Sequence, residues 1–266
     1  HAGTARQLGI GIRQPADDPQ AARHFAVDGD LEALVALLAE IGEPRAAGPV
    51  VLLAAGALEQ HGPAMPLGTD TVRAESVTAR VADELGDAVV VGPTIPVGVS
   101  PHHRGFAGTM TLSTATFAAV LTEYVDSLAH HGFRRFLVVN GHGGNNAVLG
   151  TTAQDLLRTH PDVELAWVGV SALAKDAVAR LGVSEVHGHC GESETAQMLH
   201  VAPDLVRSEL LEPGTTTLAQ MEPVARLSRT PGFNLALAWE RLTPNGVLGD
   251  PTRVSAEDGR RIIDES

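Results

Sequence analysis

Three short, glycine-bounded stretches of this chain carry side chains that bind divalent metals. Glu59-Gln60-His61-Gly62 is followed by Asp70, then come Asn140-Gly141-His142-Gly143-Gly144-Asn145 and His187-Gly188-His189-Cys190-Gly191-Glu192-Ser193-Glu194. Carboxylates and imidazoles suit zinc, manganese or iron. Glycines beside them remove side chains that would block a substrate, so the pattern points to a metallohydrolase. Glu59 and His61 stand two apart, and extended backbone projects such a pair to one side. Each could serve one ion of a pair, with Asp70 placing an oxygen on both; two ions together activate water and polarise a carbonyl.

Such residues need elements to position them, and the hydropathy pattern supplies alternating strands and helices. Val50 to Ala55, Ala88 to Val91 and Phe136 to Val139 are short continuous apolar runs, as expected of strands buried on both faces. Thr109 to Leu112 and residues 164–170 are further candidate strands. A helix is expected over 71–85, with Val77, Val81 and Leu85 on one face and Gly86 as its stop. Another is capped at Ser113 or Thr114 and repeats Phe117, Val120, Leu121, Tyr124 and Leu128. Helices follow at 145–159, 171–181, from Glu192 to before Pro203, and after the cap Ser255, while 211–250 is loop-rich. This order predicts an α/β fold, three-layer, with a mostly parallel sheet flanked by helices. One domain over 1–266 is expected, with 1–47 an irregular arm carrying a short helix from Asp30 to about Glu40. In open parallel sheets, sites form at the carboxyl ends of strands, where the loops holding Glu59, His61 and His142 begin.

Each stretch taken alone also has a plain reading. Asn140 to Asn145 could be a strand-to-helix turn, and Glu192 and Glu194 could complement a helix dipole. Turns do not explain why three such loops occur together, two of them directly after buried strands. A thiol hydrolase built on Cys190 is a competing class. A zinc nucleobase deaminase is disfavoured because its H-x-E and P-C-x-x-C signature is absent.

The motifs also resemble a family. Gly56-Ala57-Leu58-Glu59-Gln60-His61-Gly62-Pro63 with Pro66-Leu67-Gly68-Thr69-Asp70-Thr71 is similar to the first metal-binding motif of the creatininase family. Ser100-Pro101-His102-His103, Phe106-Ala107-Gly108-Thr109, Asn140 to Asn145, His189 to Thr195 and Gly246 to Pro251 continue the likeness in order over roughly 48–262. The family includes creatinine amidohydrolase, formamidopyrimidine-type deformylases and the mycofactocin-maturation peptidase. The resemblance implies two divalent ions (Zn, Mn or Fe), a hexameric homo-oligomer and hydrolysis of a C–N bond in a small-molecule amide. A peptidase of the mycofactocin-maturation type and a non-catalytic metal-binding protein are the alternatives. Glu59, Asp70 and His142 would hold the first ion; His61 and the shared Asp70 would hold the second. Creatininase has a further carboxylate ligand at the place of Gly144, so a replacement is needed, with Glu192 expected and Glu194 next. His189 would move a proton to the leaving nitrogen and Glu194 would orient it or share that role. His102, His103, Gly143 and Gly144 would line the pocket, the glycine N–H groups facing the oxyanion. The tryptophans that enclose creatinine are missing, and Trp167 and Trp239 stand elsewhere in the pattern. That argues against creatinine as substrate.

Composition narrows the partners. The formal charge is −13 with no basic cluster, which disfavours nucleic acid and anionic membranes. No apolar run reaches the roughly 18–20 residues of a membrane helix. A single cysteine allows no intramolecular disulfide and fits a reducing cytoplasm.

Overall fold

The computed structural model describes residues 48–266, so the expected arm and its 30–40 helix lie outside the described residues. Four strands form one wholly parallel sheet: β1 (Val50–Ala55), β2 (Val89–Val91), β3 (Arg135–Asn140) and β4 (Glu164–Gly169), in spatial order β2-β1-β3-β4. Parallel neighbours need crossovers, and helices make them: α1 (Thr69–Leu85), α2 (Thr114–His130) and α3 (Asn146–Thr159). Shorter helices follow at α4 (Lys175–Arg180), α5 (Glu192–Val201), α6 (Pro223–Leu227) and α7 (Ala256–Glu265).

The alternation of a strand sends its side chains to opposite faces, which makes three layers. Val51, Leu53, Phe136 and Val138 pack on one side with Phe117, Leu121 and Val125 of α2 and Val148, Leu149 and Leu156 of α3. Leu52, Val89 and Val91 pack on the other with Ala82 of α1. Burying a side chain such as Phe117 contributes roughly 1.5–3 kcal/mol, so these faces fix the sheet firmly. Ser113 caps α2 by accepting from Thr116 N at 3.1 Å, and Ser255 caps α7 with Asp258 returning the bond.

Two local expectations change. Leu85 is exposed rather than buried with Val77, because eight residues rotate a helix about 80° beyond whole turns. Thr109 to Leu112 is not a strand; Met110 makes an isolated antiparallel bridge to Leu58. Among the described residues no helix is long and apolar enough to cross a membrane.

Candidate metal centre

β1 and β3 pair in register up to Ala55 and Asn140, so the loops carrying Glu59-His61 and His142 leave the sheet side by side. Asp70 stands in the first turn of α1. Gly141 allows that turn to approach: a Cβ there would lie 2.1 Å from Asp70 O. Asn140 and Asn145 brace the loops, with Asn145 Nδ2 donating to Gly56 O at 3.0 Å and its Oδ1 accepting from Val99 N at 2.9 Å.

The side chains then converge in two overlapping sets that share Asp70. In the first, His142 Nδ1 lies 3.3 Å from Glu59 Oε1 and 3.1 Å from Asp70 Oδ2. In the second, His61 Nε2 lies 3.5 Å from both Asp70 Oδ1 and Glu194 Oε2. His189 Nδ1 reaches Glu59 Oε1 at 3.4 Å, and His102 Nε2 lies 3.8 Å from Glu59 Oε2. All but His102 and the half-buried Glu194 are buried.

Three imidazoles are each anchored by one nitrogen and free at the other. His61 Nδ1 bonds Glu59 O at 3.0 Å, His142 Nε2 bonds Val99 O at 3.1 Å, and His189 Nε2 bonds Gln60 O at 2.9 Å. A carbonyl only accepts, so these nitrogens carry the hydrogen and the opposite ones face the carboxylates. That is how metal-binding histidines are oriented. Both oxygens of Glu59, His61 Nε2 and Asp70 Oδ2 are buried without a hydrogen-bond partner. Orphaned buried polar atoms are costly, and a cation between them satisfies them all. The donor set fits divalent ions.

Electrostatics agree. Burial would push Asp70 up, but the charges of His61 and His142 hold it well below the usual carboxylate range. Burial likewise opposes His142, yet Glu59 and Asp70 raise its pKa to about 10. An arriving divalent ion must therefore displace protons. His189 moves the other way: burial and the nearby His61 lower it, so it stays neutral and able to accept a proton.

Glu192 does not join this cluster. It points away, its Oε1 accepting from Ser184 N at 2.9 Å and Ser184 Oγ at 2.5 Å, which ties the start of α5 to the preceding loop. Glu194, two residues on, faces the opposite way and supplies the carboxylate beside His61. The place at 144 could not do so. A Cβ on Gly144 would lie 2.3 Å from both Val99 O and His142 Nε2. His187 is exposed and outside the site, bonded to Ser184 O at 2.8 Å. Cys190 is buried, and burial pushes its thiol well above the usual range, so it is no activated nucleophile.

Two residues were not legible in the motifs. Arg73, one turn beyond Asp70, is buried, and its Nη1 donates to Glu194 Oε1 at 2.7 Å. Its i,i+3 spacing from Asp70 was the only signal. Trp239 closes over the site from the loop-rich segment, its ring centroid 4.9 Å from those of His102 and His189 and 5.0 Å from His103. No sequence periodicity leads to it. His103 is fully buried beneath it, with both ring nitrogens unpartnered, and burial with the neighbouring His189 pushes its pKa down to about 3. Gly143 and Gly144 open the 143–145 turn before α3, at the edge of this cluster.

The family model described as creatinine amidohydrolase matches residues 38–266. The chain belongs to the creatininase family. A mycofactocin precursor peptide peptidase from Mycolicibacterium smegmatis is 36% identical over 223 residues, covering 82% of this chain and 81% of that protein. The crystal structure of a putative creatinine amidohydrolase from Bacteroides fragilis matches with a TM-score of 0.71 and 28% identity, covering 85% of this chain and 89% of that one. A mutant creatininase described as Zn-Zn type matches with a TM-score of 0.69 and 26% identity, covering 87% and 90%. This creatininase-family hydrolase therefore has the α/β sheet of its relatives and buried groups able to hold metal.

Proposed function

We propose that this creatininase-family chain hydrolyses an amide with two divalent ions, and that the amide lies near the end of a short peptide. The observation that carries the ion count is the pair of side-chain sets sharing the buried Asp70: Glu59–Asp70–His142 and His61–Asp70–Glu194. Zinc, manganese or iron suits these donors, and the likeness to a Zn-Zn creatininase supports zinc. Bound there, such ions lower the pKa of water and polarise a carbonyl.

The protein's own groups do the rest. His189 Nδ1 faces the cluster while Gln60 O fixes its ring, so it can take a proton and pass it to the leaving nitrogen. The Gly143 and Gly144 N–H groups can receive the developing oxyanion. His102, His103 and Trp239 form an aromatic wall that excludes water and seats an apolar or aromatic side chain next to the amide. The peptide reading is supported by the relative that is named for a precursor peptide. A small cyclic amide is the second reading, favoured by how closely Trp239 lies on the histidines. A cytoplasmic homo-oligomer completes the proposal, supported by the family resemblance and the lone reduced cysteine.

The test is a metal-stripped protein reloaded with zinc or manganese and given two panels, short peptides and small amides. About two ions per chain with peptide-selective turnover is expected. Turnover that survives complete metal removal would sink the metal-dependent reading; turnover confined to small amides would sink the peptide assignment.

A further inference from the structure

We infer that His102, whose ring also borders the pocket, is a further ligand of the ion at Glu59–Asp70–His142. This rests on the two-ion reading above.

His102 Nε2 lies 3.8 Å from Glu59 Oε2, too far for a hydrogen bond. That oxygen is buried and has no hydrogen-bond partner. Ligand bonds of about 2.0–2.2 Å hold two donors on one ion no more than about 4.4 Å apart, a limit that this pair meets. Glu59, His102 and His142 each offer one donor atom, and the three atoms lie within 4.8 Å of one another. Small side-chain rotations gather them round one ion. The separation is therefore that of two ligands sharing a cation rather than of a donor and its acceptor.

The backbone delivers His102 to this place. It sits in the tight turn Pro101–His103, which is anchored away from the carboxylates. There His103 N donates to Ser100 O at 3.1 Å and Ser100 N donates to Thr111 Oγ1 at 2.7 Å. The same segment holds His142, whose Nε2 stands 3.1 Å from both Val99 O and Ser100 Oγ. The rings of His102 and His142 are nearly parallel, 7° apart, with centroids 5.7 Å from each other. Gly144 leaves the room for this: a Cβ there would stand 3.1 Å from His102 Cε1. A side chain at 144 would compete with His102 for the space beside His142, and glycine leaves that space to the imidazole. His102 also links the ion to the pocket wall, because its centroid is 4.9 Å from that of Trp239.

The experiment is calorimetric titration of the metal-stripped full chain with zinc, beside visible spectra of the cobalt-loaded protein. His102→Ala should weaken one zinc step by on the order of tenfold or more, since even the partners of ligands contribute about tenfold to a hundredfold. It should also shift the cobalt bands, which report the ligands round the ion. His103→Ala disturbs the same wall, because His103 packs on Trp239 and His189, but it removes no donor from the set. That variant should leave both readouts as in the natural protein. His102→Gln should behave as His102→Ala does, and it decides the matter if the alanine variant fails to fold. Unchanged zinc affinity and cobalt bands without His102, or equal changes in His103→Ala, would overturn the inference while leaving the two-ion reading in place. Binding of no ion by the natural protein would overturn that reading and the inference with it.

Discussion

Glu59, His61 and His142 hang from the ends of neighbouring strands, whereas His189, Glu194 and Trp239 arrive from segments outside the sheet. The first group is placed by backbone register: once Ala55 pairs with Asn140, the two loops emerge together whatever their side chains do. The second group is placed by side-chain ties, such as His189 to Gln60 O and Glu194 to Arg73 and Cys190 N. A register held by a packed core changes little, while a tie between side chains can be redrawn by one substitution. A family with one fold can therefore vary its chemistry most readily in the second group. The strand-borne half suits the ions, and the second half adds the Glu194 carboxylate beside His61 and otherwise suits the substrate and its proton.

Three variants test that contrast. Asp70→Asn should do most harm, because in the proposed two-ion centre Asp70 alone would contribute to both positions. Elemental analysis should find both ions lost and turnover should fall to that of the metal-stripped protein; retention of both ions would mean that the sharing is wrong. His189→Gln should come next, lowering turnover by about 10²–10⁴-fold, the usual contribution of a general acid or base. Its ion content should be unchanged. A drop in bound metal would move His189 into the ion-holding half, alongside Glu59 and His61, with which it forms a third close group. Glu192→Gln should do least. It removes the charge from the acceptor of the two Ser184 bonds and should lower unfolding stability by about 1–2 kcal/mol, measured by denaturant titration, with ions and turnover intact. Loss of an ion in that variant would return Glu192 to the ligand set.

Much of the strand-borne half can be read without a structure. The apolar runs of β1 and β3 announce buried parallel strands, and the position of Glu59, His61 and His142 directly after them announces a site. Glu192 shows where such reading stops. Glu192 and Glu194 lie in the same motif, both at the start of α5, and both are acidic. Two residues along a helix are about 200° apart, so only one can face the cluster, and the motif does not say which. The packing of α5 against α7 and α1 sets that rotation. Trp239 is less legible still, because an irregular segment has no period from which to infer a direction.

The four buried strands, the parallel sheet, the donor types and the loops that carry them are legible in the residues alone, because they follow from local hydropathy and from chemistry each residue carries, whereas the strand expected at Thr109 to Leu112 is not formed. Tertiary structure alone decided that Glu194 rather than Glu192 stands beside His61, that Arg73 lies between two carboxylates, and that Trp239 closes over three histidines. Those facts depend on how separate elements rotate and dock against one another. That is a property of long-range packing, in which residues 121 apart in the chain, such as Arg73 and Glu194, come within a hydrogen bond of each other.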